Sequence, residues 1–508
     1  MAVSILLFAA FAGILFVATA LKTIVLARIS PLWQLPTPTI WTHFSRLAWA
    51  FPHEFQGTIT MDLPRLHEQL GPLIRIAPNE VSFYSRDIYD AVHKVSSKFK
   101  KDPRTYGEFV QGGHPALFSI TDPVEHSKRR RIMGALFSRS KVPQLEALMA
   151  GHVQRFLQAV NSCGPLINVS SACRALEADI VSEFSFGTPI QAVDAWAAGT
   201  DLALVAKNDE KATWMPVLTT FPTLVELWEQ FEALVFRVTS FETSYSRGLR
   251  YFRLWCNAAL DLNLAEEKTV TSPNLIQTLK RAGLPDQTAL AEARENLGPG
   301  TDTTSATLAH ILWALSQNPG FQDEMYSDLA DRGFPADLAT LESIPRLQAC
   351  VKEGIRWAGA AAAMLPRIVP PGGVTLQGQY IPAGTVMTSS PIWYLHDKNA
   401  YPEPHTFDPH RWLTHDGEHL SQNSLRDRFY IPFSTGANIC LGSHFAYLEL
   451  YISLSQILRD YRLSLRGLVQ KPSTSSDKSW NPVTLPERKE WVAAVTLEDL
   501  KVCFDART

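Results

Sequence analysis

The chain has 508 residues, 46% of them apolar and 19% charged, with a net charge of −3. That length buries one large core or two to three ordinary ones, and the near-neutral balance gives no global reason to expect nucleic acid as a partner. The six cysteines form no CxxC pair, so they suggest neither a zinc ribbon nor a disulfide framework, and a reducing compartment fits them best.

The N-terminus stands apart. Ala2 to Leu21 carries no charge, and after Lys22 the apolar run resumes from Ile24 to Ala27. About 20 apolar residues span a bilayer core, so residues 1–28 are predicted to form a transmembrane anchor. A cleaved signal peptide would need a basic leading region and a shorter apolar run. Lys22 and Arg28 follow the span, which puts the rest of the chain on the cytosolic side. Pro31, Pro36 and Pro38 predict a stiff, extended spacer and lead-in over residues 29–54. Helical patterns dominate residues 55–508. Strand-like pieces lie at Leu73–Ala77, Glu80–Tyr84, Val374–Ile381, Thr385–Ser389 and Trp491–Leu497. The predicted fold class is mainly α with a smaller β part, in a single large domain.

The sharpest motif is Phe433-Ser-Thr-Gly436-Ala-Asn-Ile-Cys440-Leu-Gly442-Ser-His-Phe-Ala446. Gly436 and Gly442 bracket the cysteine, and glycine lets a flat ligand approach the main chain. Helical spacing from Leu441 to Leu458 puts Cys440 at a helix N-terminal edge, where free N–H groups favour a thiolate. Most lone cysteines are small buried hydrophobes; the bracketing favours a ligand. The segment resembles the haem-binding loop of the cytochrome P-450 superfamily, written FxxGxRxCxGxxxA, in its fungal membrane-bound branch. Phe433, Gly436, Cys440, Gly442 and Ala446 match. The resemblance implies the cytochrome P-450 fold, haem b (iron protoporphyrin IX) and Cys440 as axial ligand of its iron. Asn438 stands where the family carries a base that contacts a propionate. That departure moves the expected propionate contacts to His126 and Arg130, in His126-Ser-Lys-Arg-Arg130, and to Arg367.

Glu353 and Arg356 lie at i, i+3 and can pair on one helical face. They precede Pro404-His-Thr-Phe407-Asp-Pro409-His-Arg411-Trp412, which is similar to the family element PxxFxPxRW. By that resemblance Glu353, Arg356 and Arg411 form a buried structural triad, for which bidentate guanidinium–carboxylate geometry is well suited.

A long helix is predicted from Asp286, as N-cap, to Gln317. Inside it stands Gly298-Pro299-Gly300-Thr301-Asp302-Thr303-Thr304. A mid-helix proline breaks one backbone bond and kinks the chain; blandly, one helix ends there and another begins with Asp302 as its cap. The run also resembles the family's oxygen-activating element. That resemblance makes the Thr303 hydroxyl a proton donor during dioxygen cleavage and Asp302 part of its relay, roles a hydroxyl and a carboxylate can fill in an otherwise apolar site.

The resemblance further implies a monooxygenase. It would take electrons from NADPH through NADPH–cytochrome P-450 reductase, act on a lipophilic substrate of fungal secondary metabolism, and sit on the endoplasmic reticulum membrane. Gly359–Leu365 corresponds to a family segment that lines the pocket, and its small side chains either leave volume for such a ligand or make a tightly packed helix end. Phe109–Phe118 and Trp214–Leu224 fall where the family has mobile substrate loops, the second of which can dip into lipid, and Trp480–Leu485 can form another wall. Spare basic residues near Arg130 can steer an acidic reductase. Two other classes remain: a haem-thiolate isomerase or dehydratase acting without O2, and a non-catalytic haem sensor. Thr303 argues against the first, and a sensor has no need of Asp302-Thr303 beside a kink.

Overall fold

Amphipathic spacing over most of the chain makes helices, and strands form where distant β-branched and aromatic segments can pair. The computed structural model describes residues 2–137, 141–200, 203–266, 274–465 and 480–507. The chain divides into two compact units, Met1–Asp102 with Met364–Ser390, and Pro103–Ala363 with Pro391–Thr508. None of the three junctions along the chain falls at residue 55, where the catalytic domain is predicted to start.

In the smaller unit helix α1 runs Ala2–Ile29. The side chains before Val17, Ile14 excepted, lie outside the described set. Among the described residues no helix is long and apolar enough to cross a membrane. Residues 29–54 differ from the extended spacer expected of them. Pro31–Gln34, Ile40–His43 and Arg46–Ala48 are short 3-10 turns, followed by helix Ala50–Phe55. Leu32, Leu35, Trp49 and Ala50 are buried. Pro31 starts its turn at a position where a missing N–H is harmless. Arg46 then ties the segment down, donating to Glu80 at 3.0 Å and to Glu54 at 2.6 Å. Apolar burial and this pair of ion contacts outweigh the prolines' preference for an extended chain.

The sheet of this unit joins strands β1 Leu73–Ala77, β2 Glu80–Phe83, β3 Lys100–Lys101, β4 Arg367–Ile368 and β5 Val386–Thr388 in the order β1-β2-β5-β4-β3. β2 and β5 are parallel, with Val81 opposite Met387; the other pairs are antiparallel. The strand expected over Val374–Ile381 is instead a hairpin of Val374–Leu376 with Gln379–Ile381. Gln377 and Gly378 both have positive φ, 47° and 79°, the two-residue turn whose twist matches its strands.

In the larger unit five helices build the site and a sixth stands apart from it. They are α2 Pro123–Gly134, α3 Val169–Phe186, α4 Pro222–Thr239, α5 Asp286–Leu315, α6 Pro345–Ala358 and α7 Ser443–Asp460. α4 is the one apart, with no buried residue. Asn168 caps α3 by accepting from the Ser170 N–H at 3.1 Å. The tail pairs Arg488–Glu490 with Ala494–Thr496, so Trp491, expected in a strand, belongs to the turn. Lys501–Ala506, not anticipated, pairs with Tyr461–Ser464 and with Leu166–Asn168.

α5 is one continuous helix through Gly298–Gly300, so the bland reading of two helices falls. Its N-cap is Pro285; Asp286 lies in the first turn, where a carboxylate suits the helix dipole. The side chain of Pro299 lies outside the described residues. Hydroxyls bond back to the helix around this run. Thr301 Oγ1 donates to Leu297 O at 2.5 Å, Ser305 Oγ to Thr301 O at 2.6 Å, and Thr307 Oγ1 to Thr303 O at 2.9 Å. Such i−4 bonding slightly destabilises a helix, yet α5 runs on through it.

α6 packs on α5 at Gly354, where an added Cβ would collide with Cγ1 and Cδ1 of Ile311. Gly354→Ala is expected to lower unfolding free energy by about 1–3 kcal/mol through overpacking, read from denaturant midpoints. An unchanged midpoint would show that the two helices slide apart freely.

Candidate haem site

The loop before α7 carries Cys440. Ser434 and Gly436 both have positive φ, 61° and 73°, and Gly436–Asn438 forms a 3-10 turn. The Cys440 N–H donates to Phe433 O at 2.9 Å, closing the loop. From α2, Arg130 Nη1 donates to the Ile439 carbonyl at 2.7 Å. Phe433 packs on Tyr447 of α7, centroids 5.5 Å apart. α7 starts at Ser443 and not at Leu441, because residues 436–442 are spent on the turn and the loop.

Cys440 is solvent-accessible, yet burial is the largest influence on its thiol and raises its pKa. The two observations agree for a side chain that lines an opening within protein. The Gly442 N–H and the Arg130 charge act in the opposite direction. Burial outweighs them, so the helix edge alone does not make the thiolate expected from the sequence. A coordinating metal ion deprotonates such a thiol outright.

These residues fit a haem. The thiol is open and soft, and Gly442 stays clear of it, since an added Cβ would lie 4.0 Å from Sγ. The Arg130 charge lies near the thiol, and Thr435 Oγ1 is buried without a partner among the described residues. Cys-ligated haem iron activates dioxygen, the thiolate pushing electron density toward O–O cleavage, a general property of that ligand.

Behind the loop, Glu353 and Arg356 of α6 are both fully buried. Arg356 Nε donates to Glu353 Oε2 at 2.8 Å and Nη2 to Oε1 at 2.7 Å. Arg411 Nε reaches Glu353 Oε1 at 3.3 Å. The structure thus brings Glu353, Arg356 and Arg411 together. Trp412 joins them, its Nε1 donating to Glu353 Oε2 at 3.0 Å, as does the Asp408 N–H to Oε1 at 3.0 Å. Arg356 also donates to the carbonyls of Leu395 and Pro404 at 3.0 and 2.7 Å. A buried pair holds only when its remaining lone pairs and protons are satisfied, and here the chain segment 404–412 satisfies them. Sequence reasoning quoted Trp412 but gave it no task.

On α5, Asp302 faces Arg174 of α3, N to O 3.6 Å, a partner no sequence spacing indicates. Thr303 is half-buried and Thr304 buried. His126 is buried on α2, one turn before Arg130. Arg367 lies in the smaller unit, buried on β4, where its Nη1 donates to Pro366 O at 2.9 Å. Sequence reasoning also missed Glu292 and Glu295 of α5, buried at 2% and 7% exposure. Two acids at i, i+3, the first of them set in the apolar run Ala289–Ala293, were the signal, since buried carboxylates need dedicated partners.

A mainly helical unit with a cysteine loop ahead of a helix and a buried Glu–Arg lock behind it defines a haem-thiolate protein. The family model described as Cytochrome P-450 matches residues 36–491, and the chain belongs to that family, as an oxidoreductase with a haem iron cofactor. It is 30% identical to the cytochrome P-450 monooxygenase macH of Penicillium terrestre over 85% of each chain. It is 26% identical to the conidiogenone synthase of Penicillium rubens, covering 86% of this chain and 89% of that one. For the monooxygenase aneF of Aspergillus aculeatus the identity is 27%, over 89% of this chain and 93% of the relative.

Proposed function

We propose that the protein is a haem b monooxygenase that inserts one atom of O2 into a lipophilic intermediate of fungal secondary metabolism, with electrons from NADPH through NADPH–cytochrome P-450 reductase. The observation that carries this reading is the accessible Cys440 thiol set within protein. The relatives, named as monooxygenases and as a synthase of fungi, support it.

In this reading Cys440 ligates the iron, Phe433, Gly436 and Gly442 shape the loop around it, and His126 and Arg130 serve the propionates. Arg130 has a second task, fastening the loop through the Ile439 carbonyl. Glu353, Arg356 and Arg411 are structural. The Thr303 hydroxyl hands protons to the oxygen side, and Asp302, held by Arg174, feeds it. Residues 1–28 tether the protein to the endoplasmic reticulum membrane, with the remainder cytosolic. The uncharged run from Ala2 to Leu21 supports the tether. Lipid contact is supported by α4, where Leu224, Leu227, Trp228, Phe231, Leu234 and Val238 share one helical stripe and are all more than half exposed.

The test is turnover under 18O2 with NADPH, reductase and lipophilic candidates chosen by spin-state titration. One labelled oxygen per product is expected, and Thr303→Ala is expected to lower product per NADPH several-fold while releasing peroxide. Product formed without O2 or NADPH would turn the assignment to an isomerase or dehydratase. Full coupling in Thr303→Ala would remove Thr303 from the relay.

A further inference from the structure

We propose that Glu292 and Glu295 are positioning residues that set ligand size selectivity, by clasping the Ala116–Ser119 turn onto α5 and so fixing an aromatic wall of Tyr106, Phe109 and Phe118. The inference rests on the reading of α5 as the helix beside the reacting oxygen.

Each carboxylate is fully engaged. Glu292 Oε1 accepts from Arg129 Nη1 at 2.5 Å and Oε2 from the Leu117 N–H at 3.0 Å. Glu295 Oε1 accepts from the Phe118 N–H at 2.9 Å and Oε2 from the Ser119 hydroxyl at 2.9 Å. Ser119 Oγ in turn accepts from the Ala116 N–H at 2.9 Å. Surface turns ordinarily satisfy their amides within themselves or with water. Here two successive amides go to buried carboxylates 175 and 177 residues away along the chain. Bonds to an ionised acceptor are short and strong, so the turn is held, not merely adjacent.

Phe118 sits at the centre of the clasped turn. Its ring lies 5.1 Å from Tyr106 and 5.0 Å from Phe109, the latter edge-on at 87°. Thr303 follows Glu295 by eight residues, roughly 12 Å along a helix at about 1.5 Å per residue. The clasp therefore sits about two helical turns along α5 from the proposed oxygen side. α2 couples clasp to loop, since Arg129 holds Glu292 while its neighbour Arg130 holds the Ile439 carbonyl. Phe109–Phe118, a mobile substrate loop by the family resemblance, is on this view a preformed wall.

Hydrogen exchange on the full chain tests the clasp without turnover. In the parent, amides of a peptide spanning 115–121 are expected to exchange slowly. Glu292→Gln and Glu295→Gln should each speed them roughly tenfold, as loss of a charge-assisted bond opens a local turn, with α7 peptides unaffected. Fast exchange in the parent, or unchanged exchange in both variants, would overturn the clasp. Selectivity is read from haem-band titrations with imidazole and 4-phenylimidazole. The ratio of their affinities should move about fivefold or more in Glu295→Gln, consistent with about 1 kcal/mol of differential binding. An unmoved ratio with faster exchange would leave a clasp without selectivity and overturn that half. Should either variant fail to fold, Ser119→Ala removes the hydroxyl bond to Glu295, together with the turn's internal bonds to Ala116, while leaving both carboxylates in place, and carries the same two readouts. Both readouts stand apart from 18O2 incorporation, so either reading can fail without the other.

Discussion

Cys440→Ser is expected to abolish product formation and the red-shifted band of the reduced, carbon monoxide-bound protein, while the chain stays folded. The two side chains differ by one atom, and the loop does not depend on the sulfur. Its closure comes from the Cys440 N–H to Phe433 O bond and the Arg130 bond to Ile439 O, which the substitution leaves in place. What is lost is the soft anion. A serine hydroxyl holds its proton far more firmly than a thiol and donates less density to iron. Thermal stability measured before haem loading should stay within about 0.5 kcal/mol of the parent, as at other accessible positions. Persistence of the red-shifted band in the variant would remove Cys440 from the iron.

Glu353→Ala is the second large effect. It strands the Arg356 guanidinium, which is fully buried, and leaves it with carbonyl acceptors but no counter-charge. Breaking a buried pair from one side costs roughly 3–5 kcal/mol, a large share of the 5–15 kcal/mol typical of a domain. The substitution also takes the acceptor from Arg411, Trp412 and the Asp408 N–H, so the 404–412 segment loses its fastening. Arg356→Ala should be equally severe. Arg411→Ala should be milder, since its side chain keeps 12% exposure and water can replace it. The measurement is haem per chain by alkaline pyridine difference spectra on purified protein. Stoichiometric haem in Glu353→Ala would mean that the lock is not needed to shape the site.

Local chemistry was legible from residues alone. The Gly436–Cys440–Gly442 spacing, the Glu353–Arg356 interval and the run of hydroxyls after Gly300 are short-range patterns. Each depends on backbone freedom or helical periodicity, which adjacent residues decide. Where the chain meets itself was not legible. The fate of Pro31–Pro38 turned on whether Leu32 and Leu35 found a core, and they did. The helix runs on through Pro299 although Gly298, Pro299 and Gly300 argue locally for a break, because most of a helix's stability comes from the tertiary packing of its faces.

The sequence by itself determined the helical class, the glycine-bracketed cysteine ahead of a helix, and the pairing partners within one turn of α6. Only the tertiary structure decided the contacts between distant segments. It set Arg130 on the Ile439 carbonyl, Arg174 on Asp302, Trp412 on Glu353, and the Ala116–Ser119 turn on Glu292 and Glu295. The physical reason is common to all of them. A buried polar group must find a partner somewhere, but its own neighbours along the chain do not say where, because that depends on how helices far apart in sequence pack.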